Sequence, residues 1–324
     1  MIRFLAFLVL FLISTHFASA QKKEQASQPS GLQFGDPFIL NYKGSYYMYG
    51  TMNANAGIKV YQSTDLKNWA GPVGATNGFA LVKNDVWGNT NYWAPEVYHL
   101  NNHFYMFFSV EEHIAVATSD SPIGPFVQEK KSPLLETKAI DTHLFIDEDG
   151  RKYLYYVAFN NGNLIWMCEM NDDLLSVKEN TVKFCFGCSQ PWEFSKKEPV
   201  ANINEGPFML KHKGLYYLVF SANHFVNPDY GIGYATAPHP TGPWTKYKGN
   251  PIVCSNGEVT GTGHCAFFND NDGNLNVVYH SHFSPNEVNP RLAHINQCKF
   301  VPDPNGGADI LSIMAPTLTP MLKN

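Results

Sequence analysis

The stretch NEGPFMLKHKGLYYLVFSA, residues 204–222, decides the fold. A polar opener, Asn204-Glu205, leads through Gly206-Pro207 into the short apolar segment Phe208 to Leu210. Lys213-Gly214 marks a tight turn, and Leu215 to Ala222 is an aromatic-rich run of strand length. GIGYATA (231–237) supplies a third strand, and HPTGPW (239–244) ends the unit. The same order recurs along the chain. Polar openers stand in GDPFIL (35–40), APEVYHL (94–100), IDTHLFI (140–146) and GHCAFF (263–268). Aromatic strands follow as SYYMYGT, HFYMFFS, KYLYYVAF and LNVVYHSH, each after a turn such as YKG, LNN, DEDG or NDNDG. Third strands read GIKVYQS, IAVATS, LIWMCEM and RLAHINQ, and closing segments recur at DLKNWAG and SPIGPF.

The polar openers at 36, 96, 141, 205 and 264 lie 45 to 64 residues apart. Five such units of four strands predict an all-β chain folded as a five-bladed β-propeller. The competing arrangement is a β-sandwich with accidental repetition, but the paired aromatics after every turn favour the ring. No long amphipathic helical pattern is present. In a propeller the first strand of each blade lines the central channel. The five openers then converge on one mouth, and residues far apart in sequence share one site.

Upstream, MIRFLAFLVLFLISTHFASA has the charged, apolar and small-residue order of a secretory signal peptide, with cleavage after Ala20. The alternative is a membrane anchor, against which stand the Ala-x-Ala ending and the polar residues behind it. Residues 21–30 read as a disordered leader, and 31–324 as one catalytic propeller domain. The expected location is periplasmic or secreted, with no membrane contact after cleavage. The chain has 324 residues and a formal net charge of −5. That length buries a large core without metals or disulfides. A mildly acidic chain with no basic run argues against nucleic acid as a partner. Six cysteines include the pair Cys185-Phe-Gly-Cys188. Without a second such pair or a βαβ pattern, a zinc or redox role is weak, which leaves a local bridge or buried free thiols.

Two or three carboxylates at the mouth of a polar, aromatic-rich channel suit glycosidic bond cleavage. That chemistry needs one ionised base and one carboxyl kept protonated as acid. Asp36 precedes Pro37, Glu205 precedes a Gly-Pro bend, and Asp141 opens the third unit. A carboxylate close to Glu205 disfavours its ionised form. Trp93 and Trp87 flank the second unit, and Phe34 stands just before Asp36. A flat aromatic face matches the apolar face of a sugar ring, so these three are candidate stacking residues, although each also suits packing between blades. His280 and His282, two apart on a strand, make half of a zinc site at most, and hydrogen bonding near the channel fits them better.

Taken as an ordered set, GDPFIL, WAPEVY, IDTHLF, NEGPF and GTGH resemble the inner-strand motifs of glycoside hydrolase family 43, over about Phe34 to Phe300. The resemblance implies roles for the three carboxylates. Asp36 is the general base, Glu205 the general acid, and Asp141 the group that orients the acid and tunes its pKa. It also implies that Glu96 is mainly structural and that Arg291 points into the site toward sugar hydroxyls. His264 would face the channel, holding a water shell or a structural calcium ion. No cofactor is required.

The expected activity is that of an inverting exo-glycosidase acting as a monomer on a carbohydrate substrate, releasing terminal α-L-arabinofuranosyl units from plant-type glycans. β-Xylosidase, galactofuranosidase or galactosidase, and endo-arabinanase activities are the alternatives within the resemblance. A lectin-like propeller is the non-enzymatic one, disfavoured because a lectin needs no matched acid and base. The Asn-Asp-Pro-Asn-Gly signature of fructan hydrolases is absent, as are sialidase-type Asp boxes. Long connections before Trp93 and before Glu205 are expected to wall the channel mouth into a pocket.

Overall fold

The computed structural model describes residues 31–197, 201–314 and 319–323. The signal-peptide and leader expectations, residues 1–20 and 21–30, lie outside the described residues. Five antiparallel sheets form the blades of a β-propeller. The first blade contains β1 (Gly35–Tyr42), β2 (Ser45–Thr51), β3 (Gly57–Ser63) and, beyond the two-residue β4 (Asn68–Trp69), β5 (Phe79–Val82). Its strand order is β1-β2-β3-β5. The second blade contains β6 (Trp93–Leu100), β7 (His103–Val110) and β8 (His113–Ser119). The third contains β9 (Ala139–Ile146), β10 (Lys152–Phe159), β11 (Asn163–Met170) and β12 (Val177–Phe186). The fourth is built from β13 (Asn204–His212), β14 (Leu215–Ala222), β15 (Gly231–Ala237) and β16 (Thr245–Lys246). The fifth has β17 (Gly263–Asn269), β18 (Leu275–Ser281), β19 (Leu292–Val301) and β20 (Ile310–Ile313). Among the described residues the only helical turns are two short 3₁₀ turns, Lys83–Asp85 and Pro191–Glu193.

Two local expectations change. The second blade is a three-stranded sheet, and a single bridge, Thr118 to Val127, stands where a fourth strand was expected. The long connection before Trp93 does not wall the channel as a free loop, because its Phe79–Val82 segment is spent as the outer strand β5.

The aromatic strands are apolar on both faces because each blade is covered on both faces. In β10, Tyr153, Tyr155 and Val157 join the cluster shared with the fourth blade, including Leu218 and Phe220. Leu154 and Tyr156 point the other way, into a cluster with Phe107 and Val116 of the second blade. A period of two with both faces buried gives a continuous apolar run instead of alternation. Two of the tyrosine hydroxyls reach a carbonyl of the next blade. Tyr155 donates to the Pro240 carbonyl at 2.6 Å and Tyr217 to that of Asp309 at 2.7 Å. A buried hydroxyl without such a partner would be costly.

The inner strands form the ring. β1 touches β6 and β17, β9 touches β6 and β13, and β13 touches β17. The ring is closed without a covalent link. The Leu32 N–H donates to the Pro320 carbonyl at 2.8 Å, and its carbonyl accepts from Ala293 of the fifth blade at 2.9 Å. β21 (Met321–Leu322) then pairs parallel to β4 of the first blade.

Candidate active site

Every inner strand carries a bulge near its start. Gly35 pairs with Thr51, yet Phe38 pairs with Tyr49, so one residue is extra. The same slip separates Trp93 from Glu96, Ile140 from His143, Glu205 from Phe208 and Gly263 from Ala266. The residue just after each first pair has positive φ: Asp36 (50°), Ala94 (44°), Asp141 (54°), Gly206 (56°) and His264 (48°). Bulges bend a strand and re-aim side chains. A left-handed conformation costs a non-glycine residue energy that the surroundings must offset, and such residues gather at functional sites. The openers are therefore not equivalent, as their spacing had suggested. Asp36, Asp141 and His264 occupy the same level, Glu205 stands one residue earlier, and Glu96 two residues later.

The positive-φ residues donate their backbone N–H groups around the channel. Ala94 donates to Thr51 Oγ1 at 3.0 Å, Asp141 to Ser109 Oγ at 3.0 Å and His264 to Ser221 Oγ at 2.7 Å. Asp36 donates to His280 Nδ1 at 3.1 Å. Each acceptor belongs to the second strand of the preceding blade, at the residue paired with the start of the bulge. Gly206 breaks the pattern and donates to Asp141 Oδ2 at 3.3 Å.

Asp36 is held as an anion. Arg291 Nη1 donates to its Oδ1 at 2.7 Å and Nη2 to its Oδ2 at 3.2 Å, while the Thr51 hydroxyl donates to Oδ2 at 2.6 Å. Nδ1 of His264 lies 3.3 Å from Oδ1. Burial pushes the Asp36 carboxyl up, but Arg291, His264, His280 and the Thr51 hydroxyl outweigh it and hold the group well below the usual carboxylate range. Gly35 makes the pairing possible, because a Cβ there would lie 1.9 Å from Arg291 Nη2.

Glu205 is pushed in the opposite direction. Burial pushes its carboxyl up to about 7, against the Tyr230 hydroxyl on Oε1 at 2.9 Å and the Asn163 amide on Oε2 at 3.2 Å. Asp141 is also raised, by burial first and then by the charges of Glu205 and Asp36. Two buried carboxyls side by side titrate as a pair, and one of them keeps a proton near neutral pH. One ionised and one protonated carboxyl facing a common space can activate water and protonate a leaving group.

That space is a cavity of about 360 Å³ lined by the three carboxylates, with Trp93, His264 and Arg291 among its walls. Phe159 and Asn163 of the third blade, Ile203, and His224 with Phe225 of the fourth also line it. Phe34 does not. It is fully buried, edge-on to Tyr61 with ring centroids 5.4 Å apart, so it offers no stacking face. Trp87 packs against the core and His113, outside the cavity lining. Arg291 is turned onto Asp36, with its guanidinium 4.9 Å over the Phe225 ring. Glu96 lies deeper, paired with His143 Nδ1 at 3.0 Å and with the Tyr98 hydroxyl.

The residues around His264 do not fit a protein-liganded metal. Its Nδ1 faces Asp36, and no metal-holding group of three or more His, Cys, Asp or Glu occurs among the described residues. A hard cation such as calcium takes oxygen ligands. His280 is committed to the Asp36 N–H, and His282 Nε2 bonds the Phe225 carbonyl at 2.8 Å, so these rings serve hydrogen bonds. All six cysteines are free thiols, Cys185 and Cys188 included.

Sequence reasoning missed Thr51, Tyr230, Asn163 and Phe225. Thr51 and Tyr230 had a usable signal, since each is a polar residue at or near the mouth end of an apolar strand. Asn163, which opens β11, had the same signal, whereas Phe225 sits on a connection and carries none.

A five-bladed propeller whose channel mouth sets one lowered and two raised carboxyls around a common cavity has the arrangement that glycosidic cleavage needs. The family model for Glycosyl hydrolases family 43 matches residues 31–304, and the chain belongs to that family. Its hydrolases work without a cofactor. A solved structure described as an endo-1,4-β-xylanase of Bacteroides thetaiotaomicron is 41% identical, with a TM-score of 0.82, covering 91% of this chain and 98% of that one. A thermostable family-43 glycoside hydrolase is 38% identical with a TM-score of 0.78, covering 89% and 95%. Among curated proteins, a β-D-galactofuranosidase of Aspergillus niger is 26% identical over 273 residues, covering 77% of this chain and 74% of its own.

Proposed function

We propose that this glycoside hydrolase is an inverting exo-enzyme that removes single α-L-arabinofuranosyl units from plant-type polysaccharides. The observation that carries the mechanism is the opposite treatment of Asp36 and Glu205 within one cavity. Asp36, ionised and fixed by Arg291, takes a proton from a water on one face of the sugar. Glu205, protonated, donates to the leaving oxygen on the other. Asp141 keeps the Glu205 proton in place by its charge. Inversion requires the acid and base to be about 6.5–9.5 Å apart, so that the water fits between base and sugar.

The walls support exo action. Phe159, Asn163, Ile203 and Phe225 enclose a cavity of about 360 Å³, which suits one terminal ring better than a through-going chain. Trp93 offers the stacking face. The furanose preference is supported by relatives: the galactofuranosidase above, and an arabinoxylan arabinofuranohydrolase of Bacillus subtilis that is 27% identical over 276 residues. The Bacteroides thetaiotaomicron structure described as an endo-1,4-β-xylanase favours a second reading, in which the substrate is xylan and the sugar at the site is xylose. Export to the periplasm or medium is part of the proposal, resting on the leader-like start of the chain.

Incubation with debranched arabinan and with branched arabinoxylan is expected to release arabinose before any oligosaccharide, with the anomer inverted in proton NMR of the first product. Oligosaccharides first would overturn the exo assignment, and a retained anomer the base assignment. Xylose without arabinose would move the substrate to the second reading.

Tyr230→Phe gives a separate expected result. Its hydroxyl favours the ionised form of Glu205, so its loss raises the Glu205 pKa. Because the protonated acid is the active form, the alkaline limb of the pH–rate profile should move up by about half a unit to one unit. A limb that stays put or moves down would remove Glu205 from the acid role.

A further inference from the structure

The broken ring of hydrogen bonds has a cause. At the paired position in the second strand of each blade stand Thr51, Ser109, Val157, Ser221 and His280. Four carry a side-chain acceptor, and each accepts the N–H of the positive-φ residue in the next blade. The third, Val157, has no acceptor. It is fully buried in the apolar cluster with Met209, Phe220 and Ala222 of the fourth blade. The N–H it leaves unserved belongs to Gly206, which turns instead to Asp141 Oδ2. A buried N–H must find an acceptor somewhere.

We propose that Val157 is a positioning residue: by withholding an acceptor from Gly206, it forces that N–H onto Asp141 and ties this carboxylate to the strand that carries Glu205. The proposal rests on the roles assigned above to Asp141 and Glu205. The break falls between the third and fourth blades, the two that carry this carboxyl pair. Elsewhere in the ring a hydroxyl or imidazole takes the N–H. Here the carboxylate takes it, and the bond favours its ionised form. An ionised Asp141 beside a protonated Glu205 is the productive arrangement of the pair.

The charged and titratable groups facing this pair are Asp36 on β1, His264 on β17, and Arg291 just ahead of β19. Tyr230 faces Glu205, and His280 and Glu96 act at one remove through Asp36 and His264. None is altered by a change at Val157.

Val157→Thr, nearly isosteric, places a hydroxyl where the other blades carry theirs. The Gly206 N–H should move to it, and Asp141 should lose a donor that favours its charge. The acid limb of kcat/KM, which would report loss of the first proton from the Asp141–Glu205 pair, is expected to rise by about half to one pH unit. Activity at the optimum should fall about three- to tenfold, with KM little changed. Val157→Ser offers the same acceptor in a smaller side chain and should shift the limb likewise. Val157→Ala offers none, and is expected to lower the melting temperature while the limb stays. Carbon-13 titration of the Asp141 carboxyl gives the same shift without any substrate. An unmoved Asp141 titration in the Thr and Ser variants, or an equal shift in the Ala variant, would overturn the proposal. Absence of hydrolysis by the wild type would instead overturn the proposed function, while the titration still tests Val157.

Discussion

Asp36→Asn is expected to lower turnover by about a thousandfold or more on every glycoside that the wild type cleaves. An amide cannot accept the proton of the attacking water, and Asp141 and Glu205 are engaged as a pair that shares a proton near neutral pH. The substitution keeps shape and volume, so substrate binding should persist. It also leaves Arg291 facing a neutral group in a largely buried site, which costs stability. Steady-state rates read beside a thermal melt separate the two effects. A folded Asp36→Asn protein that turns over like the wild type would remove Asp36 from the reaction.

Glu205→Gln is expected to discriminate between substrates. On arabinoxylan, whose leaving group is an alkoxide, the rate should fall by about two to four orders of magnitude, the usual worth of general acid catalysis. On dinitrophenyl arabinofuranoside the leaving group departs without a proton, so most of the rate should return. The alkaline limb, set in the wild type by a carboxyl near 7, should vanish with the group that causes it. Equal losses on both substrates would assign the acid elsewhere.

Much of the fold was legible because apolar pattern and turn chemistry are local. KYLYYVAF and LYYLVFSA read as strands and are strands. The convergence of Asp36, Asp141 and Glu205 was legible because a ring of repeats allows few ways to place its openers. The phase of those openers was not. A bulge shifts a side chain by one residue, and sequence records only that a polar residue stands near Gly or Pro. Glu96 and Asp36 looked alike for that reason, although two residues separate their levels. Phe34 and Trp87 looked like stacking faces because an aromatic residue beside a motif carries no sign of which way it points. Arg291 was legible as a channel residue but not as the partner of Asp36, since their contact spans 255 positions of chain. The gap at Val157 is invisible until the other four blades define what should stand there.

The Asp36 site also straddles the seam at which the propeller closes. Asp36 sits on one lip, in the first blade, and Arg291, His264 and His280 sit on the other, in the fifth. Behind them the seam is held by Leu32 and by the pairing of β21 with β4. The guanidinium–carboxylate pair is therefore a staple as well as a chemical device. Parting the two lips would take Asp36 from Arg291, His264 and His280 at one stroke and let its carboxyl return toward the ordinary range.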